Sequence, residues 1–134
     1  MIVRKINIFT FFIQIDIIFK KLEKQWMYKM EQVSEKIYSV NEIKEILCKY
    51  LANTKVQKVI LVGSYSKNMA TKTRDIDLII DTNGTLRGFA FIELVLELEN
   101  LFNKNIDGFQ FNEIVENSSI DKEIQNTGVV VYEK

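Results

Sequence analysis

A chain of 134 residues with 18 basic and 18 acidic side chains and 47% apolar residues has the make-up of one globular domain, not of a dedicated nucleic-acid binder with its basic excess. It contains no histidine and a single cysteine, Cys48, which excludes imidazole catalysis, histidine zinc sites and intrachain disulfides together. Chemistry is left to carboxylates, lysines, hydroxyls and backbone, and the unpaired thiol fits a cytoplasmic setting.

Residues 1–30 are unlike the rest. They carry six basic side chains against two acidic ones, a net of +4 that leaves the remaining residues at −4. The stretch from Ile6 to Phe19 is strongly apolar but interrupted by Gln14 and Asp16. It is shorter than the roughly 20 residues of a membrane span, and no small-residue cleavage site follows it. Phe11, Ile13, Ile15, Ile17 and Phe19 alternate as in a strand, whereas Ile8, Phe11, Phe12, Ile15, Phe19 and Leu22 fit a helical stripe. The segment reads as a helix, with a misplaced start before Met27 or Met30 as the other explanation of its character.

From Ser39 the pattern is regular. Ser39 and Glu42 make a capping-box signature, and Ile43, Ile46, Leu47, Tyr50 and Leu51 form one stripe, predicting a helix over 40–52 with Cys48 in its packing. Val56–Val62 reads as a buried strand, followed by a polar connection from Gly63 to Arg74 with a short helix after Ser64. Asp75–Asp81 is a second strand, with Ile76, Leu78 and Ile80 on one face and Asp75, Asp77, Ile79 and Asp81 on the other. Asn83-Gly84 turns the chain. Leu86–Phe102 is a long helix, Asn105–Phe111 a third strand, and a short helix at Ser119–Gln125 precedes a last strand, Val129–Tyr132. This order describes an α+β domain, a small mixed sheet with helices on one side.

One conjunction stands out. Gly63-Ser64 closes a strand, and ten residues later Asp75-x-Asp77 opens the next. Carboxylates two apart on a strand share a face, and like charges that close raise each other's pKa unless a cation neutralises them. Hard divalent ions such as Mg²⁺ take oxygen ligands of this kind, and a pair of ions can clamp both oxygens of a phosphoryl transfer. Asp107, in the third strand, is the candidate third acid. Gly63 permits close approach of a phosphate, the Ser64 hydroxyl can donate to it, and Lys67 can neutralise charge, with Lys72 and Arg74 nearby. Asp-x-Asp alone marks many solvated strand faces, and Gly-Ser alone is commonly a turn. Their spacing, with an acid on a third strand, is what argues for a site.

The stretch GSYSKNMATKTRDIDLIID resembles the signature of the polymerase-beta-like nucleotidyltransferase superfamily, Gly-Ser, ten residues, Asp-x-Asp. It is most similar to the minimal nucleotidyltransferases, the antitoxins of HEPN/MNT toxin–antitoxin pairs. IYSVNEIKEILCKYL, LRGFAFIELVLELENLFNKNID and the closing VVVYEK resemble that family's leading helix, its central helix with the third-acid strand, and its last strand. The resemblance covers residues 37–134 as a nucleotidyltransferase domain and leaves 1–30 as an N-terminal extension. It implies that Asp75, Asp77 and Asp107 bind two Mg²⁺ ions and carry catalysis, and that Gly63, Ser64 and Lys67 hold the NTP. It further implies ATP as substrate and AMP transfer to a hydroxyl of a partner protein, a tyrosine of a cognate HEPN toxin, with neither membrane nor nucleic acid as partner. The alternative is an antitoxin that neutralises its partner by stoichiometric binding. Lys67-Asn68 stands where the family often has Arg-Gly, and Arg74 where it has Ser. Lysine keeps the charge but not the bidentate fork, and Asn68 tolerates a left-handed backbone better than most residues.

Overall fold

The computed structural model describes residues 8–31 and 35–134 and divides into two units, Met1–Val33 and Ser34–Lys134. The first contains helix α1 (Ile8–Glu31), so from Ile8 on the helical reading holds and the strand alternative does not. Lys20 and Asp16, one turn apart, pair at 3.4 Å along it. Ile6 and the side chains of Ile8, Phe11 and Phe12, which figured in that reading, lie outside what is described. None of the described helices is long and apolar enough to cross a membrane.

The second unit opens with α2 (Val40–Leu51), started by the expected capping box. The Ser39 hydroxyl accepts from the Glu42 N–H at 3.1 Å, and the Glu42 carboxylate accepts from the Ser39 N–H at 3.2 Å. Ile43, Leu47 and Leu51, four apart, are fully buried. Cys48 is exposed, contrary to expectation. At 100° per residue it lies roughly 140° around the helix from Ile43, beyond the edge of the buried stripe.

The sheet contains β1 (Lys58–Val62), β2 (Ile76–Asp81), β3 (Ile106–Gln110) and β4 (Val129–Glu133) in the order β3-β2-β1-β4. β1 is antiparallel to both β2 and β4, and β2 is parallel to β3, so the sheet is mixed as expected. The parallel pair requires a crossover, which α4 (Phe89–Phe102) supplies. This helix begins later than Leu86 because Thr82 organises a turn first: its carbonyl accepts from the Thr85 N–H and its hydroxyl from the Leu86 N–H.

Strand alternation divides the apolar residues between two faces. Val59 and Leu61 of β1 and Ile76, Leu78 and Ile80 of β2 join α2 and α4 in the main core, where Leu98 and Phe102 are fully buried. Tyr38 packs edge-on against Phe102 at 5.2 Å and donates to its carbonyl at 2.6 Å. Ile60, Val62 and Ile79 point the other way and pack with Ile114 and with Ile124 of α5 (Ser119–Thr127). Helices therefore cover both faces, a correction to the one-sided arrangement read from the sequence. Of the residues responsible, Ile114 falls outside every predicted element and Ile124 lies in a short, largely polar helix, so neither announces a second core.

Candidate functional site

β1 ends where the chain leaves the sheet through Gly63, and α3 (Gly63–Ser66) begins at once. Gly63 adopts φ +73°, a conformation costly for any residue with a side chain. Space demands glycine as well, because a Cβ here would collide with Oδ2 of Asp77. The pairing Val62↔Asp77 places that carboxylate beside the turn. Three residues past Ser64, Lys67 closes the helix, and Asn68 takes φ +55°. The left-handed position that the family often gives to glycine is thus occupied here by asparagine.

Asp77 is in register with Asp107 on the adjacent parallel strand. Asp75 stands just ahead of β2, not inside it. All three acids line one cleft of about 360 Å³ together with Gly63, Ser64, Thr73 and Arg74. Five of the six expected site residues are therefore brought together. The sixth, Lys67, is held differently: its ammonium lies 3.3 Å from the Glu123 carboxylate, which also accepts the Gly63 N–H at 3.0 Å. Lys72 likewise turns from the acids toward Glu35, at 3.7 Å.

The electrostatics follow from this crowding. Burial, hydrogen bonding with Asp107 and the charges of Asp107, Asp75 and Glu123 push the Asp77 carboxyl up to about 6. Burial and Asp107 also raise Asp75, partly offset by Lys104. The acids thus favour a proton or a cation among them. Among the described residues, no three acidic or thiol side chains converge closely enough to hold an ion unaided.

Two contributors carried no signal in the sequence. Glu123 sits 46 residues beyond Asp77, on a short polar helix. Lys104 is 3% exposed, and its ammonium donates to the Lys72 carbonyl at 3.0 Å, tying the loop before β2 to the end of α4. Burial pushes the pKa of Lys104 down while Asp75 opposes the shift. A lysine between a helix and a strand reads as solvated, and only the fold shows otherwise.

Comparison with known proteins agrees with this fold. Residues 41–134 match the family described as "Polymerase beta, Nucleotidyltransferase". The chain is 35% identical over 80 residues to "Putative protein adenylyltransferase MJ1215" of Methanocaldococcus jannaschii, covering 57% of this chain and 93% of that protein. A solved toxin–antitoxin structure with AMP-PNP superposes with a TM-score of 0.59 at 22% identity, over 68% of this chain and 73% of the other. A tri-AMPylated Shewanella oneidensis HEPN toxin in complex with MNT antitoxin gives 0.53 at 21% identity, over 69% and 71%. At these identities the structures speak for the fold, while the family match covers most of the chain and includes Gly63-Ser64 and all three acids. The chain belongs to the polymerase-beta nucleotidyltransferase family.

Proposed function

We propose that residues 37–134 form a protein adenylyltransferase domain, with residues 1–30 as an extension outside the catalytic unit. The observation that carries this is the register of Asp77 with Asp107, which puts the third acid beside the Asp-x-Asp pair in a cleft floored by Gly63 and Ser64. The raised Asp77 carboxyl supports a cation there. Two Mg²⁺ ions held by Asp75, Asp77 and Asp107 would supply Lewis-acid charge to the triphosphate and the acceptor oxygen. The Ser64 hydroxyl, the Gly63–Ser64 backbone and Lys67 grip the β- and γ-phosphates of ATP. An acceptor hydroxyl gives its proton to Asp107 and attacks the α-phosphorus. The bond between that phosphorus and the bridging oxygen breaks, and pyrophosphate leaves in line.

The acceptor in this reading is a tyrosine hydroxyl on a HEPN-domain toxin, and its modification makes the chain a cytoplasmic antitoxin. Support comes from the named relatives and from the AMPylated toxin in the superposed complex. A small amount of the chain with Mg·ATP should raise the mass of excess partner by whole AMP units. Replacing Asp75 and Asp77 together by Asn should end both the mass change and the protection of cells expressing the toxin. Protection that persists in full, with partner mass unchanged, would show stoichiometric neutralisation instead.

A further inference from the structure

Glu123 occupies a position that the proposed reaction does not use. It projects from α5, an element outside the Gly-Ser and Asp-x-Asp segments, onto the turn after β1. One oxygen of its carboxylate accepts from both the Gly63 N–H, at 3.0 Å, and the Lys67 ammonium, at 3.3 Å. Those are two of the donors assigned above to the triphosphate. The carboxylate also adds its charge to the field at Asp77, so it makes more negative a region that must accept an anion. A carboxylate and a phosphate ask the same of such donors: negative oxygen at hydrogen-bond distance from an N–H and an ammonium. The Lys67–Glu123 pair is partly exposed, with side chains 40% and 31% accessible, and pairs of that kind are weak.

We propose that Glu123 is a positioning residue that holds the phosphate-binding donors in the nucleotide-free enzyme and is displaced by the triphosphate. It keeps Lys67 and the Gly63 turn ordered before ATP arrives, at the expense of nucleotide affinity. This inference rests on the reading of Gly63, Ser64 and Lys67 as the triphosphate grip. A purely structural Glu123 would instead pin α5 to the turn, and its loss would loosen the site.

Calorimetry with Mg·ATP, and with inorganic tripolyphosphate plus Mg²⁺, distinguishes the two. Glu123→Gln and Glu123→Ala should each bind both ligands more tightly, on the order of three- to tenfold, with KM for ATP falling more than kcat changes. Unchanged or weaker binding in both variants overturns the proposal. Ser64→Ala serves as the control for the underlying reading. If it weakens Mg·ATP while the Glu123 variants fail to tighten it, only the displacement idea falls; if it leaves affinity unchanged, the grip assignment itself fails. Should the Glu123 variants not fold, NMR on the unmodified protein decides. Saturating tripolyphosphate should shift both the Gly63 amide and the Glu123 carboxyl carbon, and a Glu123 signal that stays in place refutes displacement.

Discussion

At Asp77 the folded chain holds a proton that the unfolded chain has already released. Burial and the neighbouring acids push its carboxyl up to about 6 from an ordinary 3.8, so between those values the native state binds more protons. Stability without metal therefore falls as pH rises through that window and stays lowered above it. Asp77→Asn removes the linkage. Melting curves in a chelator should show the variant more stable than the native chain at pH 7, with the advantage shrinking toward pH 4. A pH-independent difference would contradict the crowded-acid account. Adding Mg²⁺ and nucleotide should narrow the gap at pH 7, because cations then do what the proton did. Gly63 is the opposite kind of residue, sensitive to size instead of charge. Positive φ and the adjacent Asp77 carboxylate each forbid a side chain, so Gly63→Ala should lower both stability and nucleotide binding.

The pairing of elements is what converts three separate acids into one cleft. β2 carries its acid in line with β3 only while α4 seats β3 at the correct height and distance. Gly108, the residue after Asp107, makes that contact possible. A Cβ there would meet Val95 Cγ2 at 2.6 Å and Cγ1 at 3.5 Å. Valine on a helix is held to one main rotamer and yields little, so Gly108→Ala must lift α4 or displace the strand. We expect a loss of about 1–3 kcal/mol in unfolding free energy, with AMP transfer reduced beyond what the fraction unfolded explains. Chemical denaturation alongside single-turnover transfer tests this, and a variant of native stability and rate would show that β3 has slack. On α2, Ser39→Ala should cost about 1 kcal/mol through the lost cap and leave the transfer rate of folded protein unchanged. The cap serves the core and not the cleft.

For the molecule as a whole, the division into Met1–Val33 and Ser34–Lys134 agrees with the family match, which begins at residue 41. Among the described residues, those of the main core and of the second core lie between Tyr38 and Tyr132. A chain starting at Met30 should therefore melt within a few degrees of the full chain, about the effect of 1 kcal/mol or less, and transfer AMP at an undiminished rate. A truncated chain that precipitates or melts far lower would assign the apolar residues of α1 to a structural or assembly interface. Partner binding by the truncated and full chains, measured side by side, would then separate a role in folding from one in docking.

Local signals were strong wherever one element could state its own case. The capping box at Ser39 and Glu42, the 3.6-residue stripe of α2 and the period-two faces of β2 are short-range consequences of backbone geometry. Each could be read in the sequence before the fold. The candidate site was legible for the same reason: Gly63-Ser64 and Asp75-x-Asp77 are contiguous motifs with a fixed spacing, and Asp107 lies in the next strand. What depended on elements meeting in space was decided by the tertiary structure alone. Cys48 turned outward because the buried stripe of α2 is narrower than its apolar residues suggest. The second face of the sheet was covered by Ile124 of α5 and by Ile114 in the segment before it. Lys104 was buried at the end of α4, and Lys67 was engaged by a glutamate 56 residues away. A hydrogen bond across that separation leaves no periodicity in the chain, since its cause is the packing of α5 against β1 and not any preference of the residues that make it.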